Sequence, residues 1–169
     1  MRPRGTTLLA LLTLTGCTSH RVNNPEPTKT GTTGRDITVT RRDAQLMSVG
    51  PAENFTGTVH VRRLFLPAPP AGMQGAYVTF DPGARTAWHS HPVGQILVVM
   101  AGSGRVQQWG GAMQEIREGD VVWTPPNVKH WHGATPTSAM THMAIVELRD
   151  GKSAEWMEKV TDAQYNGAP

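Results

Sequence analysis

Turn-forming residues punctuate this chain too often for long helices. Strand candidates, several of them valine-rich, recur at Thr58–Leu66, Gly75–Asp81, Thr86–His91, Gln95–Ala101, Gly104–Trp109, Met113–Arg117, Asp120–Thr124, Lys129–His132 and Thr141–Leu148. Between them stand Pro67-Ala68-Pro69-Pro70, Asp81-Pro82-Gly83, Gly102-Ser103-Gly104, Gly110-Gly111 and Glu118-Gly119-Asp120. Runs of strand length separated by Gly/Pro turns predict an all-β sandwich or small barrel. One helix is expected, over Ser153–Val160, where Ser153 can cap and Trp156, Met157 and Val160 can share an inward face.

The first residues read differently. Met1-Arg2-Pro3-Arg4 is a basic start, and Leu8–Leu14 is an apolar stretch too short to span a bilayer. It ends at Leu14-Thr15-Gly16-Cys17, which resembles a bacterial lipobox. That resemblance implies a signal peptide over 1–17, lipidation at Cys17 and a periplasmic chain anchored to the outer membrane, since Thr18 is not the Asp of inner-membrane retention. A plain secretory signal is the simpler alternative. Cys17 is the only cysteine, so no disulfide forms within one chain. Residues 18–45 are rich in Thr, Asn, Pro, Gly and charge, and are expected to be a flexible tether. The folded domain is expected over 46–169. The net charge is +3, from 16 basic and 13 acidic side chains; without Arg2 and Arg4 it is 14 − 13 = +1. No basic cluster interleaved with aromatics marks a nucleic-acid surface.

The chemistry concentrates in Trp88-His89-Ser90-His91-Pro92-Val93-Gly94-Gln95. Alternate strand residues share a face, so His89 and His91 can address one ion, with Gln95 joining after a bend. His130 follows in Pro125-Pro126-Asn127-Val128-Lys129-His130. Three imidazoles and one amide oxygen make a transition-metal site with positions left for substrate. His132 has the parity of His130, and His142 opens the series His142, Ala144, Val146, Leu148. Facing inward, either imidazole suits acid/base work; otherwise His132 lines the mouth and His142 is a core residue. Ala76 and Val78 share one strand face and can form an apolar substrate wall. His20 and His60 read as surface residues. Trp88 and Trp131 have the opposite parity to the ligands and read as packing.

These spacings resemble the cupin superfamily. Gly83 is followed by five residues, His89-Ser90-His91, three residues, Gln95, six residues and Gly102, which is the first cupin motif with Gln in place of Glu. Gly119, Pro125 and His130 fit the second motif, with Asn127 in place of Gly and Ala134 in place of Asn. The resemblance implies a jelly-roll barrel, the double-stranded β-helix, from about Leu46 to Leu148, often paired as a homodimer or higher homo-oligomer. With Gln instead of Glu, a divalent ion keeps its full +2 charge, which favours Lewis-acid over redox chemistry.

Several segments are similar to small bacterial cupins that include manganese-dependent hydroxynitrile lyases. They are Phe55-Thr56-Gly57-Thr58-Val59, Pro82–His89, Gly119–Trp123, Lys129–Gly133, Met140-Thr141-His142 and Glu155-Trp156-Met157-Glu158. That resemblance implies ligands His89, His91, Gln95 and His130, a base at His142, and Mn(II), with Fe, Zn or Ni as alternatives. It implies cleavage of small aromatic cyanohydrins. Val146 stands where the lyases are expected to carry Gln, which removes a polar group from the inward face. The lyases of this pattern also lack an export signal and tether. Another metallo-cupin enzyme (a dioxygenase, isomerase or decarboxylase) and a periplasmic metal- or ligand-binding module are the alternatives.

Overall fold

One 14-residue strand organises the molecule. It spans Gln95–Gln108 and belongs to both walls of a curled sheet. The structure is a computed structural model describing residues 37–66 and 72–167. In chain order the strands are β1 Met47–Val49, β2 Phe55–Thr56, β3 Val59–Phe65, β4 Met73–Phe80, β5 Arg85–Thr86 and β6 His89–Ser90. They continue with β7 Gln95–Gln108, β8 Gln114–Arg117, β9 Val121–Thr124, β10 His130–Ala134, β11 Met140–Glu147 and β12 Glu155–Trp156. Helix α1 is Asp162–Tyr165. The expected signal segment, Cys17, His20, most of the tether and the Pro67–Pro70 turn lie outside the described residues. Within 37–45 there is a 3-10 turn at Arg42–Ala44 that buries nothing.

One wall runs β1-β3-β4-β11-β7-β9, and the other runs β2-β5-β10-β7-β8. β6 pairs with β10, and β12 pairs with β6. All these pairings are antiparallel, as expected for short strands joined by tight turns. The expected turn at Gly102-Ser103-Gly104 is a bend within β7. Gly102 has φ of 74°, and a Cβ there would lie 1.9 Å from the Ala139 carbonyl oxygen. Glycine serves here for bending and close approach, and the chain crosses from one wall to the other without reversing. The expected strand Thr86–His91 is likewise split, into β5 and β6 around Ala87-Trp88.

Inward residues of both walls form the core, led by Val59, Val78, Phe80, Val99, Val106 and Met140. A second cluster joins Trp88 and Trp131 to Val160 and Tyr165, on the far side of the strands that carry the histidines. Asn127 has φ of 62°, the left-handed conformation that Asn tolerates.

The tail departs from expectation. Ser153–Val160 is extended, and the short helix lies beyond it, capped by Thr161 and Gln164 in a reciprocal box. A single isolated two-turn helix is marginal. Here the strand alternative offers backbone partners: Trp88 N–H donates to the Glu158 carbonyl and Met157 N–H to the Trp88 carbonyl. Trp156 and Met157 are therefore not on a common inward helix face. Val160 is buried as expected.

Candidate metal centre

Sheet register assembles the histidines. His130 on β10 lies directly opposite His89 on β6, and on its other side opposite Gln108 of β7. Residues directly opposite on paired strands share a face. His91 follows β6, and Gln95 opens β7 after the His91–Gly94 turn. His132 lies two residues along β10. His142 comes from β11, opposite Val78 and Val99. His89, His91, Gln95, His130, His132 and His142 are each at most 5% exposed.

Ring centroids lie 4.3 Å apart for His89–His130, 5.0 Å for His89–His91, 5.5 Å for His91–His130 and 4.8 Å for His132–His142. Three Nδ1 atoms are tied to backbone carbonyls, which only accept. His89 donates to Ala87 (3.0 Å), His91 to Ser153 (2.6 Å) and His130 to Val128 (2.9 Å). Each of these rings, when neutral, then carries its lone pair on Nε2. Burial dominates the protonation of the cluster. It pushes His130 down to about 4 and His142 to about 3, and holds His89, His91 and His132 below the ordinary histidine value. Neighbouring imidazoles press His89 and His132 further down.

The arrangement fits a cation. His130 Nε2 faces the Gln95 Oε1 at 3.1 Å, lone pair against lone pair. Two donors each about 2.1 Å from one ion at right angles stand about 3.0 Å apart. The Nε2 atoms of His91 and His132 are buried without a hydrogen-bond partner, as is His142 Nδ1. The tightest trio is His89, His130 and His132, whose nitrogens lie within 4.8 Å of one another. His91, the expected third imidazole, stands just outside it.

His132 Nδ1 and His142 Nε2 are 3.2 Å apart and share one hydrogen. Two arrangements are possible for neutral rings. If His132 binds a cation through Nε2, its Nδ1–H donates to His142, and the remaining His142 nitrogen carries hydrogen. If His142 donates from Nε2, its Nδ1 holds a lone pair and His132 Nε2–H cannot ligate. His132 as a ligand and His142 Nδ1 as a base thus exclude each other.

The expected wall residues line up across the strands, with Ala76 opposite Ala144, Val78 opposite His142, and Val146 opposite Gln95. Val78 and Ala76 belong to the core packing. A described cavity that reaches His130, about 90 Å³, is lined by Val106, Gln108, Val122, Trp123 and Thr124, among others. A cleft of about 210 Å³ beside Ser90, Asn127 and Arg149 contains none of the imidazoles. Sequence reasoning missed the Ser153 carbonyl and Trp156, whose indole stacks on His89 at 4.7 Å and 30°. The spacing of Trp156, Met157 and Val160 predicts a helix, and that period hides the pairing of Trp156 with His89.

Known proteins share this architecture. The model of the cupin domain matches residues 76–146. A protein of Granulicella tundricola named (R)-mandelonitrile lyase is 58% identical over 127 residues, covering 75% of this chain and 97% of that one. A cupin-like protein from Thermotoga maritima superposes with a TM-score of 0.68 at 43% identity, over 70% of this chain and 90% of that one. A polyketide cyclase from Streptomyces resistomycificus shares the fold alone, with a TM-score of 0.61 at 12% identity over 78% of this chain and 92% of its own. The histidines raised on β6, β10 and β11 inside a curled antiparallel sheet, together with a relative matched over nearly its whole length, make this chain a member of the cupin superfamily.

Proposed function

We propose that this cupin is a divalent-metal-dependent lyase that cleaves or forms small aromatic cyanohydrins. The observation that carries the reading is the set of imidazoles whose Nδ1–H groups are spent on backbone carbonyls, in a chain 58% identical to a protein named (R)-mandelonitrile lyase. His89, His91, His130 and the Gln95 amide oxygen would hold the ion, and Mn(II) is the metal proposed. A bound divalent ion supplies Lewis acidity beside the substrate hydroxyl. The neutral Gln95 leaves that charge undiminished.

In this reading His142 is the base. Its Nδ1 is buried and unpartnered, and its Nε2 donates to His132. Burial keeps the ring neutral, so Nδ1 offers a lone pair. It takes the hydroxyl proton as the carbon–cyanide bond breaks; the carbonyl forms, and cyanide leaves with the bonding pair. The imidazolium then returns the proton to cyanide. His132 orients His142 by accepting its Nε2–H. Phe80 packs on both rings, at 5.7 Å and 5.5 Å, and keeps water from them. Ala76, Val78 and Val146 are proposed as the apolar wall for the aryl group.

Outside the barrel, we propose export to the periplasm with a lipid anchor at Cys17, supported by the Leu14-Thr15-Gly16-Cys17 sequence. The deciding experiment follows aldehyde release from mandelonitrile at mildly acidic pH, with manganese-loaded and chelator-stripped protein. Metal-dependent release is expected. Fully metallated protein that releases no aldehyde sets the lyase reading aside.

A further inference from the structure

We infer that the strap Ser153–Trp156 is a built-in outer shell of the metal centre, with Trp156 positioning His89 and the Ser153 carbonyl positioning His91. The inference rests on the reading of those histidines as ligands. Trp156 on β12 lies opposite His89 on β6, and His89 lies opposite His130 on β10. Indole, imidazole and imidazole therefore form one registered row on one face of the sheet. The indole stacks on His89 at 4.7 Å and also meets Phe55 at 5.5 Å and 60°. His89 cannot swing away from His130 without leaving that stack. Further along the strap, the Ser153 carbonyl takes the Nδ1–H of His91 at 2.6 Å and so fixes Nε2 as its lone-pair atom.

The strap is itself clamped at several points beyond the site. Glu158 pairs with Lys129, and the Val160 carbonyl accepts from Arg85 Nε at 3.2 Å. The Tyr165 hydroxyl donates to the Ala134 carbonyl at 2.7 Å. These anchors tie the chain that follows the strap to β5 and β10, so a displacement of Trp156 is resisted from its C-terminal side. An imidazole polarised by a cation is attracted to an indole face more strongly than a free one. Trp156 therefore favours the metal-bound form over the metal-free form. An indole offers a cation no lone-pair donor, and Trp156 acts through His89 as a positioning residue.

The test titrates metal-free wild type, Trp156→Ala and Trp156→Phe with Mn(II), reading free ion by its electron paramagnetic resonance signal. Zn(II) affinity is read in parallel by competition with a colorimetric chelator. Trp156→Ala is expected to weaken binding by about tenfold or more, the usual effect of removing an outer-shell partner. Trp156→Phe keeps an aromatic face and is expected to stay near wild type. Circular dichroism verifies the fold. If the alanine variant does not fold, Trp156→Leu takes its place, since it keeps apolar bulk against Phe55 but offers no ring. Folded Ala or Leu variants with wild-type affinity overturn the role of Trp156, as does a Phe variant as weak as Ala. A wild type that binds neither ion removes the metal-centre reading itself.

Discussion

At the scale of single residues, the hydrogen between His132 and His142 decides the chemistry. Their nitrogens are 3.2 Å apart, and only one of them can donate. The base assignment requires the donor to be His142, which leaves His132 outside the ligand set. His132→Ala and His142→Ala are then both expected to keep stoichiometric manganese. His142→Ala loses turnover, and His132→Ala lowers it by about 10²-fold or more, the scale of a misoriented acid/base group. Metal analysis beside aldehyde release tests this. Loss of metal in His132→Ala would place His132 among the ligands and remove His142 as base. The same cluster governs acid stability. Folding holds His130 at about 4 and His142 at about 3, below the value near 6.5 expected when unfolded. Their contribution is fully present above pH 6.5. It is lost as pH falls toward the folded values, by roughly 1.4 kcal/mol per pH unit for each such group. Metal-free protein is expected to melt at lower temperature at pH 4.5 than at pH 7.5. An unchanged melting temperature would mean the imidazoles are not buried in neutral form.

At the scale of elements, β7 shows what could be read from the sequence and what could not. Gln95–Ala101 and Gly104–Trp109 are legible as strands, but Ile96–Ala101 is apolar throughout and does not tell its two faces apart; pairing decides that Leu97, Val99 and Val106 are buried. The glycines between them predict a break in the strand. Local chemistry does not distinguish a turn from a bend, because both need a residue that accepts positive φ. What distinguishes them is the distant Ala139 carbonyl, 1.9 Å from where a Gly102 Cβ would sit. Strands β2 and β12, two residues each, were invisible for a related reason. Their periodicity is too short to register, and only their partners on β5 and β6 make them strands. The His89–His91 spacing was readable because two-residue parity survives the splitting of that run into β5 and β6. Gly102→Ala is expected to cost about 2 kcal/mol or more, combining a strained φ with a clash. Urea unfolding measures it, and a loss below experimental error would show that β7 and the Ala139 loop can separate freely.

At the scale of the whole molecule, the outer face of the β4-β11-β7-β9 wall is unusually apolar. Register places Gly75, Ile145, Ile96 and Trp123 in one row, and Tyr77, Met143, Val98 and Val121 in the next. Trp123 is 57% exposed, Val121 66% and Ile96 37%, so no described segment covers this end of the rows. A sheet face of this composition is normally buried against another layer. A second copy of the chain is the occupant proposed, because both apolar rows run across four paired strands and end in exposed Ile96, Val121 and Trp123. A net charge of only +1 without Arg2 and Arg4 offers little repulsion to such a pairing. Sedimentation of a chain starting after Cys17 is expected to give a dimer or larger closed assembly. Trp123→Asp together with Ile96→Asp is expected to give a monomer, since each buried carboxylate would face apolar surface without a partner. A wild type that sediments as a monomer at micromolar concentration would leave these rows without a second copy. The variant pair is expected to keep its manganese, because neither side chain is a proposed ligand, although Trp123 lines the cavity that reaches His130. Dissociation without loss of bound manganese would therefore separate assembly from chemistry. Dissociation with loss of manganese would mean that pairing holds β9 against β7, and with it Gln95 against His130.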